Sequence, residues 1–158
     1  MSVDAETFRR VLGAAPSPVT IVTIVDARGA DHGMTVSAFT SLSLEPPLVL
    51  VCVGDDATIA TPMREARHFG VSVLADDQAE LSIRFADRDV RGFDGVSSRR
   101  APAGSALLDG ATAHLECRVV ARYPGGDHTI IVGEVTFATA SERPPLVHLR
   151  GRYRSVAR

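Results

Sequence analysis

Apolar residues in this chain recur mostly at every second position, in short runs broken by glycine, proline and aspartate, the pattern of strands rather than of helices. Val19 to Val25, with Thr20 and Thr23 interleaved, predicts a strand, and Asp26-Ala27-Arg28-Gly29 a turn. His32 to Phe39 reads as the returning strand of that hairpin. Leu48 to Val53 is unbroken and apolar, and Phe69 to Leu74 is a further strand. Ala113 to Tyr123 alternates Leu115, Cys117, Val119, Ala121 and Tyr123 against Glu116, Arg118 and Arg122. The turn Pro124-Gly125-Gly126-Asp127 sends the chain back as His128 to Ala138. Pro144-Pro145 precedes a short strand, LVHL, and Gly151-Arg152-Tyr153 closes it.

Helical spacing is found in three places. Asp4 can cap a short helix with Phe8, Val11 and Leu12 on one face, ended by Gly13 and Pro16-Ser17-Pro18. A second helix is expected over Ile59 to Arg67, after the loop Gly54 to Thr58. A third carries Leu81, Ile83 and Phe85, with Asp76 or Asp77 as its cap. Asp87 to Gly110 is polar, glycine-rich and without period, and reads as a long excursion: a lid, a partner contact or a mobile connection. Six or seven strands with two helices inserted after the middle ones predict a mainly β protein with inserted helices, a Greek-key barrel. No regular βαβ alternation supports a doubly wound parallel sheet.

The 158 residues fit a single domain, 1–158, with no room for a separate nucleotide-binding domain. A net charge of −2, with both signs scattered, gives no surface for nucleic acid. All 17 basic residues are arginine, which excludes a lysine Schiff base. Cys52 and Cys117 lie within strand patterns, no CxxC occurs, and His32, His68, His114, His128 and His148 show no metal-ligand spacing, so no metal site is expected. The opening MSVDAETFRR lacks an apolar signal core and no apolar run approaches membrane-spanning length, so the expectation is a soluble, cytoplasmic protein.

Chemistry concentrates between Gly33 and Val53. Thr35, Ser37, Thr40, Ser41 and Ser43 alternate with Met34, Val36, Phe39, Leu42 and Leu44 before Glu45-Pro46-Pro47. Five hydroxyls in nine residues are too many for a core, where each needs a partner, and the apolar residues are too many for a loop. Two readings fit: a strand pair whose hydroxyls face water, or a wall against a large, flat, partly polar ligand. No GxGxxG follows a strand and no GxSxG elbow occurs. A trio of His128, Asp127 and a serine is the sort that any chain of this size offers.

Two long segments, GMTVSAFTSLSLEPPL and GDHTIIVGEV, resemble the signatures of the flavin reductase-like, FMN-binding split-barrel family, the small reductase components of two-component flavin monooxygenases. The likeness runs from about Phe8 to Tyr153 and includes the Phe8-Arg9 pair and the VTIVT strand; Val36-Ser37-Ala38 departs from the family's small Ala-Ser-Ser run. The resemblance implies a Greek-key split barrel and a homodimer with flavin at the subunit interface. It implies that Met34, Thr35, Val36, Ser37 and Ala38 run along the isoalloxazine, with Ser41 towards the ribityl phosphate and Val53 on the same edge. Thr58 would seat the phosphate at a helix N-terminus. Arg84 and Phe85 would lie against the flavin, and His128 and Tyr153 would meet the nicotinamide nucleotide. The implied activity is hydride transfer from NAD(P)H to FMN or FAD, and the reduced flavin would go to a partner oxygenase; no arginine is obviously placed for a 2′-phosphate, so NADH is expected in preference to NADPH. Hydride transfer needs no side-chain acid, so no catalytic residue is assigned. A flavin carrier of the same fold, or an oxidase of a small substrate such as a vitamin B6 phosphate, are the alternatives; the latter would need more basic ligands than Arg64 and Arg67.

Overall fold

β-Branched residues recur along the strands that carry the core of the molecule. The structure, a computed structural model, describes residues 1–87 and 92–156. The elements, in order, are α1 (Ala5–Leu12), β1 (Ser17–Pro18), β2 (Thr20–Val25), β3 (Asp31–Val36), β4 (Phe39–Ser43), β5 (Leu48–Gly54), α2 (Ala60–Glu65) and β6 (His68–Val73). They continue with α3 (Ala79–Ala86), β7 (Ser98–Arg100), β8 (Ala106–Leu108), β9 (Ala113–Pro124), β10 (His128–Ala140), β11 (Leu146–Leu149) and β12 (Arg152–Ser155). Seven strands pair antiparallel in the order β3-β2-β6-β9-β10-β5-β4, beside a small β1-β11-β12 sheet and a β7-β8 ribbon. The β9–β10 hairpin is inserted between β5 and β6, which the chain makes earlier. No helix among the described residues is long and apolar enough to cross a membrane.

The connection between β3 and β4 dictates the shape of the large sheet. These strands are its two edges, yet only Ser37 and Ala38 lie between them in the chain. In a flat sheet the two edges would stand about 29 Å apart. Three Cα steps, from Val36 to Phe39, reach about 11 Å. The sheet must therefore curl until its edges approach. No ladder joins β3 to β4 among the described residues, so the curled sheet stays open along a seam. The mainly β expectation holds, while the pairing is that of an open sheet rather than a closed barrel.

Inside the curl lie Val22, Ile24, Val36, Val51, Val53, Phe69, Val71, Cys117 and Ile131, with Ile59 and Met63 packed among them. Gly133 belongs here for lack of space: a Cβ would stand 2.5 Å from the Phe69 ring and 2.8 Å from Cys117 Cβ. A second cluster outside the curl gathers Val19, Ile21, Leu74, Phe85, Leu108 and Leu146.

Four expectations are corrected. The strand expected from His32 to Phe39 breaks after Val36, whose carbonyl accepts the Thr20 hydroxyl at 2.6 Å, and Phe39 joins β5 opposite Val51. The helix expected over Ile59 to Arg67 is shorter and begins at Ala60, with Ile59 as its cap; Arg122 takes the carbonyls of Met63 and Ala66 at its end. The N-cap position of the third helix is Gln78, not Asp76 or Asp77, and no side chain caps it. Gln78 is held by Ala75 N–H and by the Asp109 carbonyl, and Asp77 pairs with Arg143.

The largest correction concerns the excursion after Asp87. Residues 88–91 lie outside the described residues, but the rest contains the β7–β8 hairpin, laid over the outer face of β2, β6 and β9. Its pins are polar side chains from that face. Thr23 donates to the Ala106 carbonyl at 2.6 Å, and Ser72 Oγ accepts Leu108 N–H at 2.9 Å. His114 Nε2 reaches the Leu108 carbonyl at 2.7 Å. Glu116 takes Ala103 N–H at 2.7 Å and Ser105 N–H at 3.0 Å, and is 1% exposed. The alternation that set Glu116 against the apolar face was right about side, but that side is covered.

Candidate functional site

Along β3 the side chains divide by parity. Met34 and Val36 turn into the curl and join the core. Gly33 and Thr35 turn outward beneath α3. A Cβ on Gly33 would stand 2.7 Å from the Phe85 ring, so only glycine lets α3 lie this close. Thr35 donates its hydroxyl to the Ser82 carbonyl at 2.6 Å. What Met34, Thr35 and Val36 leave for a ligand is their strand's outer edge, because β3 pairs on one side only.

Across the seam stands β4, the other edge. Ser37 and Ala38 cross between them, both exposed, and the Ala38 carbonyl accepts Cys52 N–H at 3.0 Å. Ser37 and Ser41 are exposed, and their hydroxyls have no partner among the described residues. The structure thus brings Met34, Thr35, Val36, Ser37, Ala38 and Ser41 to one seam, offering edge backbone groups and two free hydroxyls.

His128, Val53 and Thr58 form a second group, at the end of β5. Val53 pairs with Thr129, and its side chain is in the core at 1% exposure. His128 stands opposite Gly54, where a Cβ would be 3.7 Å from its Nε2. Its Nδ1 lies 2.7 Å from the Asp127 carboxylate, which that hydrogen bond holds below its ordinary pKa. The orientation is reinforced by Asp55, whose N–H donates to the Asp127 carbonyl and whose carboxylate accepts the Thr129 hydroxyl at 2.8 Å. With Nδ1 engaged, Nε2 is the nitrogen left for a ligand. Thr58 is exposed and lies outside α2, two residues before its first helical position; Ile59 holds the cap position.

A third group centres on α3. Phe85 is 4% exposed and meets Phe93 edge to face at 5.2 Å, in the second core; its ring is engaged within the protein. Arg84 donates to the Asp94 carbonyl. Tyr153 reaches into this group: its phenol oxygen lies 2.8 Å from Ser82 Oγ, and its ring meets His148 edge to face at 5.8 Å. Sequence reasoning passed over Ser82, although a serine between the apolar Leu81 and Ile83 was the available signal.

A well-defined cleft lies elsewhere. A cleft of about 660 Å³ lies beside the Asp26 turn and the end of α2, lined by Asp26, Arg28, His32, Glu65, Arg67 and His68 among others. It includes none of the expected site residues. Asp26 there is drawn down to about 2 by its bonds to His32 and to the turn amides of Ala30 and Arg28. The seam, by contrast, is the unpaired gap between the edges β3 and β4. Among the described residues it carries no paired acid and base and no nucleophile beside a base. Such an arrangement can bind a flat group by its edge.

Comparison with known proteins bears on what that group is. Residues 12–157 match the model of the flavin reductase like domain. An NADH-dependent flavin reductase of a Rhodococcus species is 44% identical over 155 residues, 94% of this chain and 85% of that protein. The reductase subunit of a flavin-dependent monooxygenase from Rhodococcus jostii is 36% identical over 156 residues, 98% of this chain and 80% of its own length. The solved structure of an NADH:FAD oxidoreductase from Streptomyces globisporus, in complex with NAD and FAD fragments, superposes with a TM-score of 0.92 at 42% identity, covering 99% of this chain and 97% of that one.

Proposed function

The chain belongs to the flavin reductase like domain family, and from that premise we propose that it is an NADH-dependent flavin reductase that passes a hydride from NADH to FMN or FAD and supplies reduced flavin to a partner oxygenase. The observation that carries the reading is the seam, where two unpaired sheet edges are joined by a two-residue crossing and the hydroxyls of Ser37 and Ser41 are exposed.

The residues present fit a flavin. Its pyrimidine edge calls for backbone donors and acceptors, which the outer edge of β3 at Met34, Thr35 and Val36 supplies with Ala38. Ser37 and Ser41 suit the ribityl phosphate, with Thr58 further along as an exposed hydroxyl. Phe85 and Arg84 act at one remove, packing α3 behind β3 and bonding Asp94. Bound flavin supplies the acceptor for the hydride. The chain's own part is to hold that ring and the nicotinamide in register and to exclude alternatives to their contact. His128, turned by Asp127 so that Nε2 is outward, and Tyr153 suit the dinucleotide. No proton need be moved by a side chain, which agrees with a seam that lacks an acid–base pair.

Several finer readings accompany this one. The seam is consistent with a Greek-key split barrel. A homodimer in which a second copy roofs the seam accounts for its openness in one chain. The relatives that are reductase subunits of monooxygenases support an oxygenase partner, and cytoplasmic work is in keeping with an NADH donor. The test is NADH oxidation by the purified protein, with and without FMN, FAD or riboflavin. Turnover that depends on added flavin is expected, and tight flavin binding without NADH consumption would replace the reductase with a carrier.

A further inference from the structure

A serine inside a helix ordinarily turns its hydroxyl to solvent or back to a carbonyl of the preceding turn. Ser82, in the middle of α3, does neither. It is 0% exposed, and its Oγ lies 2.8 Å from the phenol oxygen of Tyr153, 71 residues further along. The carbonyl of the same residue accepts the Thr35 hydroxyl at 2.6 Å. One residue of α3 thus ties the edge strand of the seam to the C-terminal strand β12. Alanine would favour the helix more and would leave no hydroxyl to satisfy. What serine adds here is the bond. Tyr153 is half-buried, with its ring edge against His148, so the bond to Ser82 fixes the phenol end of a ring whose body is already in contact.

We propose that Ser82 is a positioning residue for the nicotinamide dinucleotide. It fixes the Tyr153 ring relative to Thr35 and β3, so that the dinucleotide meets an aromatic surface already in place rather than one it must order. This rests on the reductase reading and on Tyr153 as a dinucleotide contact.

The chain has no tryptophan and two tyrosines, so in a Tyr123→Phe background Tyr153 alone emits. Titration with NAD⁺, followed by quenching of that emission, gives a dissociation constant without turnover. Ser82→Ala is expected to raise both this constant and the KM for NADH by about three- to tenfold, the worth of one ordinary hydrogen bond, with kcat little changed. Tyr153→Phe in the parent chain removes the same bond without removing the ring, and should raise KM alike. The double variant should do no more than either single one, because both delete one interaction. Additive effects, or a lowered melting temperature with KM and quenching constant unmoved, would make Ser82 merely structural and overturn the proposal. So would an NAD⁺ titration that leaves Tyr153 emission untouched, even while flavin-dependent NADH oxidation upholds the reductase reading. Normal quenching without NADH oxidation would sink that reading, and this proposal with it.

Discussion

Gly133 shows how little slack the core has at single positions. Its neighbours are the Phe69 ring and the Cys117 side chain, both 0% exposed, with nowhere to retreat. Gly133→Ala should lower stability by about 1–3 kcal/mol, the usual cost of overpacking, read from the urea midpoint. His114 makes a different point. Arg99 can only donate to its Nδ1, at 3.0 Å, and the Leu108 carbonyl can only accept from Nε2, so the ring is held neutral as the Nε2–H tautomer. Burial, first, and the Arg99 charge push its pKa below the ordinary 6.5. The unfolded chain then binds a proton that the folded chain resists, so this contribution is full above 6.5 and drains away as pH falls below it. His114→Gln should flatten the pH dependence of the urea midpoint on the acid side. Cys117, its thiol pushed up to about 12 by burial and the adjacent Glu116, should resist thiol reagents at neutral pH until the protein unfolds.

At the scale of elements, the β7–β8 hairpin is the least predictable part of the fold and among the most firmly held. Only three residues form each of its strands, and β7 is wholly exposed. Its hold comes from β8, whose Ala106, Leu107 and Leu108 are buried, and from Glu116 clamping the turn that joins the two strands. Glu116→Ala leaves two amide donors without their acceptor, and should cost about 2–4 kcal/mol; hydrogen exchange should quicken first at Ala103 and Ser105. The sequence could not show this. Period-2 alternation tells which residues share a face, but not whether that face meets water or another segment. The same gap explains Tyr123, at an apolar position yet 56% exposed near the end of β9. Where alternation and turn residues agreed, as for β2, β9 and β10, the elements were legible to within a few residues. Helix starts were less so: Gln78 holds the N-cap position of α3 without a side-chain cap bond, its amide engaged by Ala75 and by Asp109, far along the chain.

For the molecule as a whole, the seam was legible only as a composition: hydroxyls among apolar residues from Thr35 to Ser43. Its meaning needed the strand order, which places neighbours in sequence at opposite edges of a sheet. That order also separated the expected site residues into those with free groups, such as Ser37 and Ser41, and those whose side chains are engaged in the core, such as Val53 and Phe85. A sheet with two open edges is ordinarily a template on which other chains can add strands. Here each edge is turned towards the other, and the two-residue crossing by Ser37 and Ala38 keeps them so. A flat molecule seated in that gap would occupy the very backbone groups through which aggregation would start. Flavin should therefore act as a guard against strand-by-strand aggregation as well as a substrate: light scattering on gentle heating should rise later with FMN or FAD present than without. Solubility and turnover would then depend on the same few exposed amides.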